Sequence, residues 1–389
     1  MTESSVSDTP SVVSPAPAPV FYASVESGTR TFLDGLDVCW AAEDLISIFN
    51  FDTFNSKYVY TGETGATKGP FEQVATGSND VELPYVYAAY PYNQYSEYYT
   101  DDDALSLWFP PQQKYVEGSF DPAAGVMVAA SESENLYFRN ACGYLRVRLW
   151  GDNSAPVSLV YIAGNNGEVI SGYRVVTVSP DDEPVSEPDT DYWTGTYVAV
   201  YDESGELYLG ETSSEAVEFL MAIPPVNFTE GITIVVQDTD EGEFSFTTST
   251  PLEIKRGVIK TTAPLEVTFT RPDWNYLGTG SLTDDICSVY SVDPTTVSCE
   301  VYEDAENPGI YKVTSFQKPL VEAVFGYDDL SDYEGTLYYD TGLVIDATDP
   351  DAVFFDYQDY GICLNTSDGF IGVTSTINGS HFSEGVLED

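Results

Sequence analysis

Residues 144–152 read YLRVRLWGD. Successive side chains of an extended strand point to opposite faces, so Leu145, Val147 and Leu149 share one side and Arg146 and Arg148 the other. The same period of two runs outward from this stretch. Ile232, Ile234 and Val236 alternate in ITIVVQDTDEGEFSF, which reads as strand, turn, strand. YVAVYDESGELYLG is a further hairpin that turns at Glu203-Ser204-Gly205. From Phe21 onward short apolar runs end at Gly, Asn, Asp or Pro. No helical pattern exceeds about ten residues, and SSEAVEFLMAI at 213–223 comes nearest. Many short strands with regular turn signals specify sandwiches or barrels, so the predicted class is all-β.

Composition limits what such a protein does. The 389 residues carry 64 Asp plus Glu against 14 Lys plus Arg, a net charge of −50. Nucleic acid is bound by cations that displace phosphate counterions, so this surface repels it. Anionic lipid headgroups are disfavoured for the same reason. Disordered acidic chains lack aromatics, whereas this one has 29 Tyr and 20 Phe, enough for real cores. At roughly 100–200 residues per domain the length predicts two to four domains. No apolar run approaches the ~20 residues of a membrane span. Cysteines stand at 39, 142, 287, 299 and 363 without a CxxC pair, which argues against a zinc ribbon. Buried small side chains are the favoured reading, with a Cys287–Cys299 pairing left open. A single histidine, His381, removes most triad and His-ligated metal chemistry.

Four segments are expected. Residues 1–20 carry Ser, Pro, Ala and Val without periodicity and read as a disordered tether with no signal peptide. Residues 21–135 and 136–272 read as two β-sandwiches, divided at the polar stretch Ser131–Asn135. Pro272 ends a strand, and residues 273–389 form a third β-rich module. The acidic, Pro-rich Ser179–Asp191 reads as a long surface loop.

Several segments then show a family likeness. FYASVESGTRTFLDGLDVCWAAEDLISIFN, with Trp40 before the acidic turn Glu43-Asp44 and the strand Ile46–Phe49, resembles the first hairpin of the fimbrillin superfamily of Bacteroides-type bacteria. YVYTGETGATKGPFEQV is similar to its next hairpin, and YAAYPYN and FPPQQKYVEGSFDPAAGVMVA to the closing strands of its first domain. LYFRNACGYLRVRLWGD resembles the start of its second domain, and MAIPPVNFTEGITIVVQDTD with its continuation to PLEV resembles the end. The matches keep their order over roughly residues 20–270. WNYLGTGSLTDDICSVY and IDATDPDAVFFDYQDYG look like a tail module of surface lipoproteins, without an assigned role.

The resemblance implies two transthyretin-like sandwiches in series, export, and display on the outer membrane or in a fimbrium. It implies an adhesive or structural role without catalysis or cofactor. The implied partners are other fimbrial subunits or surface ligands, glycans among them. The lipid-bearing Cys expected of a lipoprotein is missing, since the first is Cys39. The expectation is therefore a signal and lipobox lost from this chain, with membrane contact only through that anchor. Family pilins are trimmed by an Arg- or Lys-specific protease. Arg30 is the first basic residue here, and cutting there releases Phe21–Thr29. Its alternative is an ordinary hairpin residue. Pilins of the family polymerise through their last strands, and the third module after those strands puts that route in doubt.

Other candidates are weighed against simpler readings. In the Tyr-dense stretch 85–100, Tyr85, Tyr87, Tyr90 and Tyr92 are expected on packed strand faces, while Tyr95, Tyr98 and Tyr99 are candidate glycan or partner contacts. Asp238, Asp240 and Gly242 are spaced like the start of a calcium loop, but position twelve is Ser249, so a tight turn is favoured. The acidic clusters at 100–104 and 346–352 attract cations weakly, without a designed metal site. With 64 carboxylates, a close pair of them says nothing about glycoside hydrolysis. The charge itself is read as a device that keeps exposed β-edges from pairing indiscriminately.

Overall fold

The computed structural model describes residues 18–26, 33–34, 37–49, 55–74, 86–99, 103–284, 295–320, 337–338, 342–349, 353, 359–366 and 369–374. Residues 1–17, Arg30, Tyr85, Cys287 and His381 lie outside them, and with them most of the tether and of the 100–104 cluster; Cys299 is a free, buried thiol, so the Cys287–Cys299 pairing left open by the sequence does not form. The fold is all-β, and helix among the described residues is limited to turns of three or four residues. The chain divides into two units, Met1–Thr270 and Arg271–Asp389.

In the first unit seven strands close into a barrel. Their order is Phe21–Val25, Asn135–Asn140, Met127–Ser131, Val86–Tyr90, Leu45–Phe49, Ser56–Tyr60 and Lys68–Gln73. Closure leaves no unpaired edge. Trp40 is fully buried at its centre, with Phe71, Tyr90 and Phe138 edge-on at 5.0–5.6 Å. The acidic turn fixes that indole. Glu43 takes the left-handed backbone conformation at φ 70°. The Ala41 N–H donates to Asp44 Oδ2 at 2.7 Å, and the Tyr90 hydroxyl donates to Oδ1 at 3.3 Å. Burial pushes the Asp44 carboxyl above the usual range.

Beyond the barrel, two sheets face each other. One runs Gln112–Lys114, Tyr197–Tyr201, Val157–Gly164, Ile232–Asp238, Glu243–Thr248. The other runs Val217–Ile223, Gly143–Gly151, Ile259–Thr261, with Leu265–Val267 further along Gly143–Gly151. Leu145, Val147 and Leu149 meet Val160, Ile162, Ile234 and Val236 in one core, as the alternation of 144–152 requires. Arg146 and Arg148 share Glu218, each at 3.4 Å, on the opposite face.

A third core lies between barrel and sandwich. It takes Tyr87 and Ala89 from the barrel strand whose other residues, Val86, Ala88 and Tyr90, face inward. From the sandwich it takes Leu220, Ala222 and Tyr144. The strand Ala104–Phe109 adds Leu105, Leu107 and Phe109. That strand pairs with Ser171–Thr177, so an early segment is hydrogen-bonded to a later one. The strand Asn135–Asn140, which opens the second sandwich in the sequence reading, pairs with Phe21–Val25 inside the barrel. Two-sided burial also explains SSEAVEFLMAI. Its Val217–Ile223 portion is a strand, with Phe219, Met221 and Ile223 in one core and Leu220 and Ala222 in another.

The second unit has a four-stranded antiparallel sheet of Trp274–Asp284, Thr295–Asp304, Ile310–Thr314 and Leu343–Asp346. Val297, Cys299, Val301, Val313 and Leu343 are its buried apolar residues among those described, and the Lys312 ammonium lies 4.9 Å from the Trp274 ring. Leu337–Tyr338, Asp359–Thr366 and Gly369–Thr374 form a smaller sheet.

Val217–Ile223 ends its sheet, and an edge strand exposes unpaired backbone groups. Buried Gln113 completes it. Its Nε2 donates to Ala222 O at 2.7 Å, and its Oε1 accepts from Ala222 N at 2.9 Å, so one amide side chain stands in for a partner strand. Gln113→Leu strands both Ala222 groups at about 1–3 kcal/mol each. The urea midpoint should fall by the equivalent of at least about 2 kcal/mol; an unchanged midpoint would show that the contact does not support the edge.

Candidate functional site

Two features stand out from the packed frame. The first is the strand Phe21–Val25. It pairs antiparallel with Lys68–Gln73 on one side and parallel with Asn135–Asn140 on the other, so it closes the seam of the barrel. Phe21 and Ala23 are fully buried, and Phe21 meets Tyr58 edge-on at 5.2 Å. Just after the strand, Glu26 is clasped by Arg256, whose Nη1 and Nη2 reach Glu26 Oε2 at 2.6 Å and Oε1 at 3.3 Å. Arg256 also reaches Glu183 at 3.0 Å and donates to the Asn140 carbonyl at 3.3 Å. The sandwich thus holds the exit of the seam strand.

The second feature is a row of aromatic rings. Trp108 and Tyr173 are register partners on adjacent strands, with ring centroids 5.1 Å apart. Trp108 meets Trp193 at 5.6 Å, and Tyr173 meets Tyr192 at 5.1 Å. Trp193 is 50% exposed, Tyr192 44% and Tyr95 63%. Trp193 lies against two glycines. A Cβ on Gly172 would meet its ring at 3.0 Å, and one on Gly195 at 2.7 Å. Gly172 has φ +89°, so the close approach and the backbone conformation both require glycine. The Tyr173 N–H donates to the Trp193 carbonyl at 2.9 Å, which fixes the chain beneath the indole.

Polar groups border the row. The Tyr192 hydroxyl donates to Glu97 Oε2 at 3.1 Å, and that bond raises the tyrosine pKa. Behind it, buried Asp189 accepts from Ser106 Oγ at 2.7 Å and from the Tyr99 hydroxyl at 3.0 Å. Burial first, then Asp189, pushes Tyr99 to about 12. Trp108 also lines a cleft of about 260 Å³ with Tyr92, Asn93, Gln112 and Pro110. The 179–191 segment is strapped down beside the row. Arg139 donates to the carbonyls of Pro180 and Asp182, and Ser186–Pro188 pairs with Ser171–Thr177.

The structure separates the three candidate tyrosines. Tyr95 is exposed, and the Tyr173 hydroxyl is pushed above its ordinary pKa first by burial and then by its neighbours Tyr95 and Glu97. Tyr98 is buried, stacked on Tyr87 at 4.5 Å with both hydroxyls on Asp103 Oδ1, so its ring packs inward. Tyr99 is half-buried and tied to Asp189. Trp108, Tyr173, Tyr192 and Trp193 were not singled out by sequence. Asp238 caps its own turn, accepting from Gly242 N at 2.6 Å and Asp240 N at 2.9 Å. Asp346 does the same for Thr348. Among the described residues no three His, Cys, Asp or Glu are placed to share a metal ion, and no helix is long and apolar enough to cross a membrane. Cys142 is fully buried, and burial pushes its thiol to about 12.

No protein-family model matches the chain, and no curated protein matches it. Among solved structures it is similar to a "putative cell adhesion protein" from Bacteroides ovatus, 14% identical with TM-score 0.39, over 67% of this chain and 97% of that one. A second protein so described, from Bacteroides uniformis, is 14% identical with TM-score 0.37 over 64% and 92%. A fimbrial protein from Bacteroides ovatus is 12% identical with TM-score 0.27 over 64% and 50%.

Two substitutions test these supports. Arg256→Ala removes the Arg256 clasp on Glu26 and should cost about 3 kcal/mol in chemical denaturation, the low end for a broken buried pair because Glu26 keeps some exposure. Asp189→Ala strands the Ser106 and Tyr99 hydroxyls at about 1–3 kcal/mol each. It should also raise acrylamide quenching of tryptophan fluorescence as the Trp193 loop loosens. Unchanged quenching would show that Asp189 does not hold the row.

Proposed function

We propose that this chain is a non-catalytic cell-surface protein, a fimbrial subunit or fimbrillin-like lipoprotein acting in adhesion or fimbria assembly. One observation carries the reading: the barrel is closed by a five-residue strand, Phe21–Val25, held between one parallel and one antiparallel neighbour. Removing such a strand opens a groove with two unpaired edges and an apolar floor, the arrangement that accepts a strand from another chain. The ordered resemblance of residues 20–270 to fimbrillins supports the same reading. In it, Arg30 is the processing site, the partners are further subunits or surface ligands, and the place is the outer membrane or fimbrium after export. The lipoprotein form attaches through a lipid anchor. The exposed ring row favours a second form of the reading, a surface lipoprotein that captures glycans alone.

Treatment with an Arg-specific protease tests the assembly form. Cleavage at Arg30 should give SDS-resistant ladders or filaments, and Arg256→Ala should speed their appearance by loosening Glu26. A trimmed chain that remains monomeric at high concentration would sink the assembly form.

A further inference from the structure

The contact chain Trp193–Trp108–Tyr173–Tyr192, with Tyr95 beside it, has a shape that narrows its ligand. Adjacent rings touch at centroid distances of 5.1–5.6 Å. Their planes are inclined to one another by 36–61°. Trp193 and Tyr192 are the exposed rings of the row, at 50% and 44%. Large exposed aromatics are rigid, amphipathic contact groups, and here they are immobilised before any ligand arrives. Trp193 lies against Gly172 and Gly195, and Asp189 holds the strand behind it.

The rim decides the polarity of the ligand. The Glu97 carboxylate stands at the Tyr192 end, and Asn93, whose Oδ1 accepts from the Tyr95 N–H at 2.9 Å, lines with Gln112 the cleft that Trp108 walls. A carboxylate accepts hydroxyl protons, and an amide both donates and accepts. The charge set against the row is negative, and the whole chain carries −50, so anionic ligands are repelled. Lys57 lies 5.0 Å from the ring of Tyr92, which lines the cleft, and is not itself among the lining residues. An open cleft of about 260 Å³ lies below the ~300–1,000 Å³ that enclose drug-sized apolar ligands. A flat molecule with apolar faces and a hydroxylated edge fits both parts.

We propose that this face binds neutral oligosaccharides, with pyranose rings stacked on Trp193 and Tyr192 and hydroxyls bonded to Glu97 and the cleft amides. Because the four rings form a row, the ligand spans more than one sugar residue. This assignment names the ligand class of the adhesive role and rests on that reading, while the strand-exchange form stands apart from it. The face also differs from a protein interface in its constituents: it is a short row with a carboxylate at its end, whereas the core of a protein interface is depleted of charge.

The test uses the full chain on a glycan array, followed by titration of hexasaccharides of glucose, mannose and xylose and of oligogalacturonate, read by tryptophan fluorescence. At least one neutral oligosaccharide should bind and shift the emission, while oligogalacturonate should not. Trp193→Ala and Tyr192→Ala should each weaken binding roughly tenfold or more, and Trp193→Phe should retain part of it. Trp193→Phe keeps a ring against Gly172 and Gly195 and should melt close to the parent, and Tyr208→Ala, exposed elsewhere in the first unit, serves as the unaffected control. No binding by any neutral glycan would overturn the proposal. So would binding that Trp193→Ala leaves intact, or a concentration-dependent dimer that Trp193→Ala abolishes. Ladder formation after Arg30 cleavage is read separately, so failure here leaves the assembly form standing.

Discussion

Burial of both faces of the same strands is the constraint from which the first unit follows. Val86–Tyr90 sends Val86, Ala88 and Tyr90 into the barrel and Tyr87 and Ala89 outward into a second core. Val217–Ile223 divides its residues the same way between that core and the sandwich. Each large side chain so buried contributes about 1.5–3 kcal/mol, and none can be withdrawn without uncovering its neighbour's opposite face. Barrel and sandwich are therefore joined by a shared core rather than by a linker. The seam strand and the ring row are both mounted on this body, one clasped by Arg256 and the other set on Gly172 and Gly195.

The same constraint decides what sequence could reveal. One-sided strands kept their period, so Leu145, Val147 and Leu149, and Ile232, Ile234 and Val236, could be read directly. Trp40 and the turn at Glu43-Asp44 were legible only through their likeness to a known first hairpin, since composition and period alone do not mark them. Two-sided strands have no alternation, so VEFLMAI looked nearest to a helix and VYAAY gave no face. The placement of Asn135–Asn140 in the barrel depends on a parallel pairing with Phe21–Val25 across more than a hundred residues, which no local pattern encodes.

The ring row was hidden for a related reason. Tyr95 comes from the tyrosine-dense stretch that drew attention, but Trp108, Tyr173, Tyr192 and Trp193 are scattered along the chain. The pairing of Ala104–Phe109 with Ser171–Thr177 brings Trp108 to Tyr173, and the pairing of Thr194 and Gly195 with Gly172 and Ser171 brings Tyr192 and Trp193 beside them. Tyr98 lies in the same dense stretch and turns inward to Asp103, since neighbouring residues of a strand face opposite ways. The −50 charge then has two uses that agree. On the readings proposed above it discourages edge pairing between chains and favours uncharged ligands at the exposed rings, while Gln113 covers one edge directly.

Hydrogen exchange on the intact chain, followed by mass spectrometry through a urea series, tests the shared core most directly. The account predicts that peptides covering Val86–Tyr90 and Val217–Ile223 lose protection together in one transition. Loss of barrel protection at lower urea, with Val217–Ile223 still closed, would contradict it and make the two cores independent.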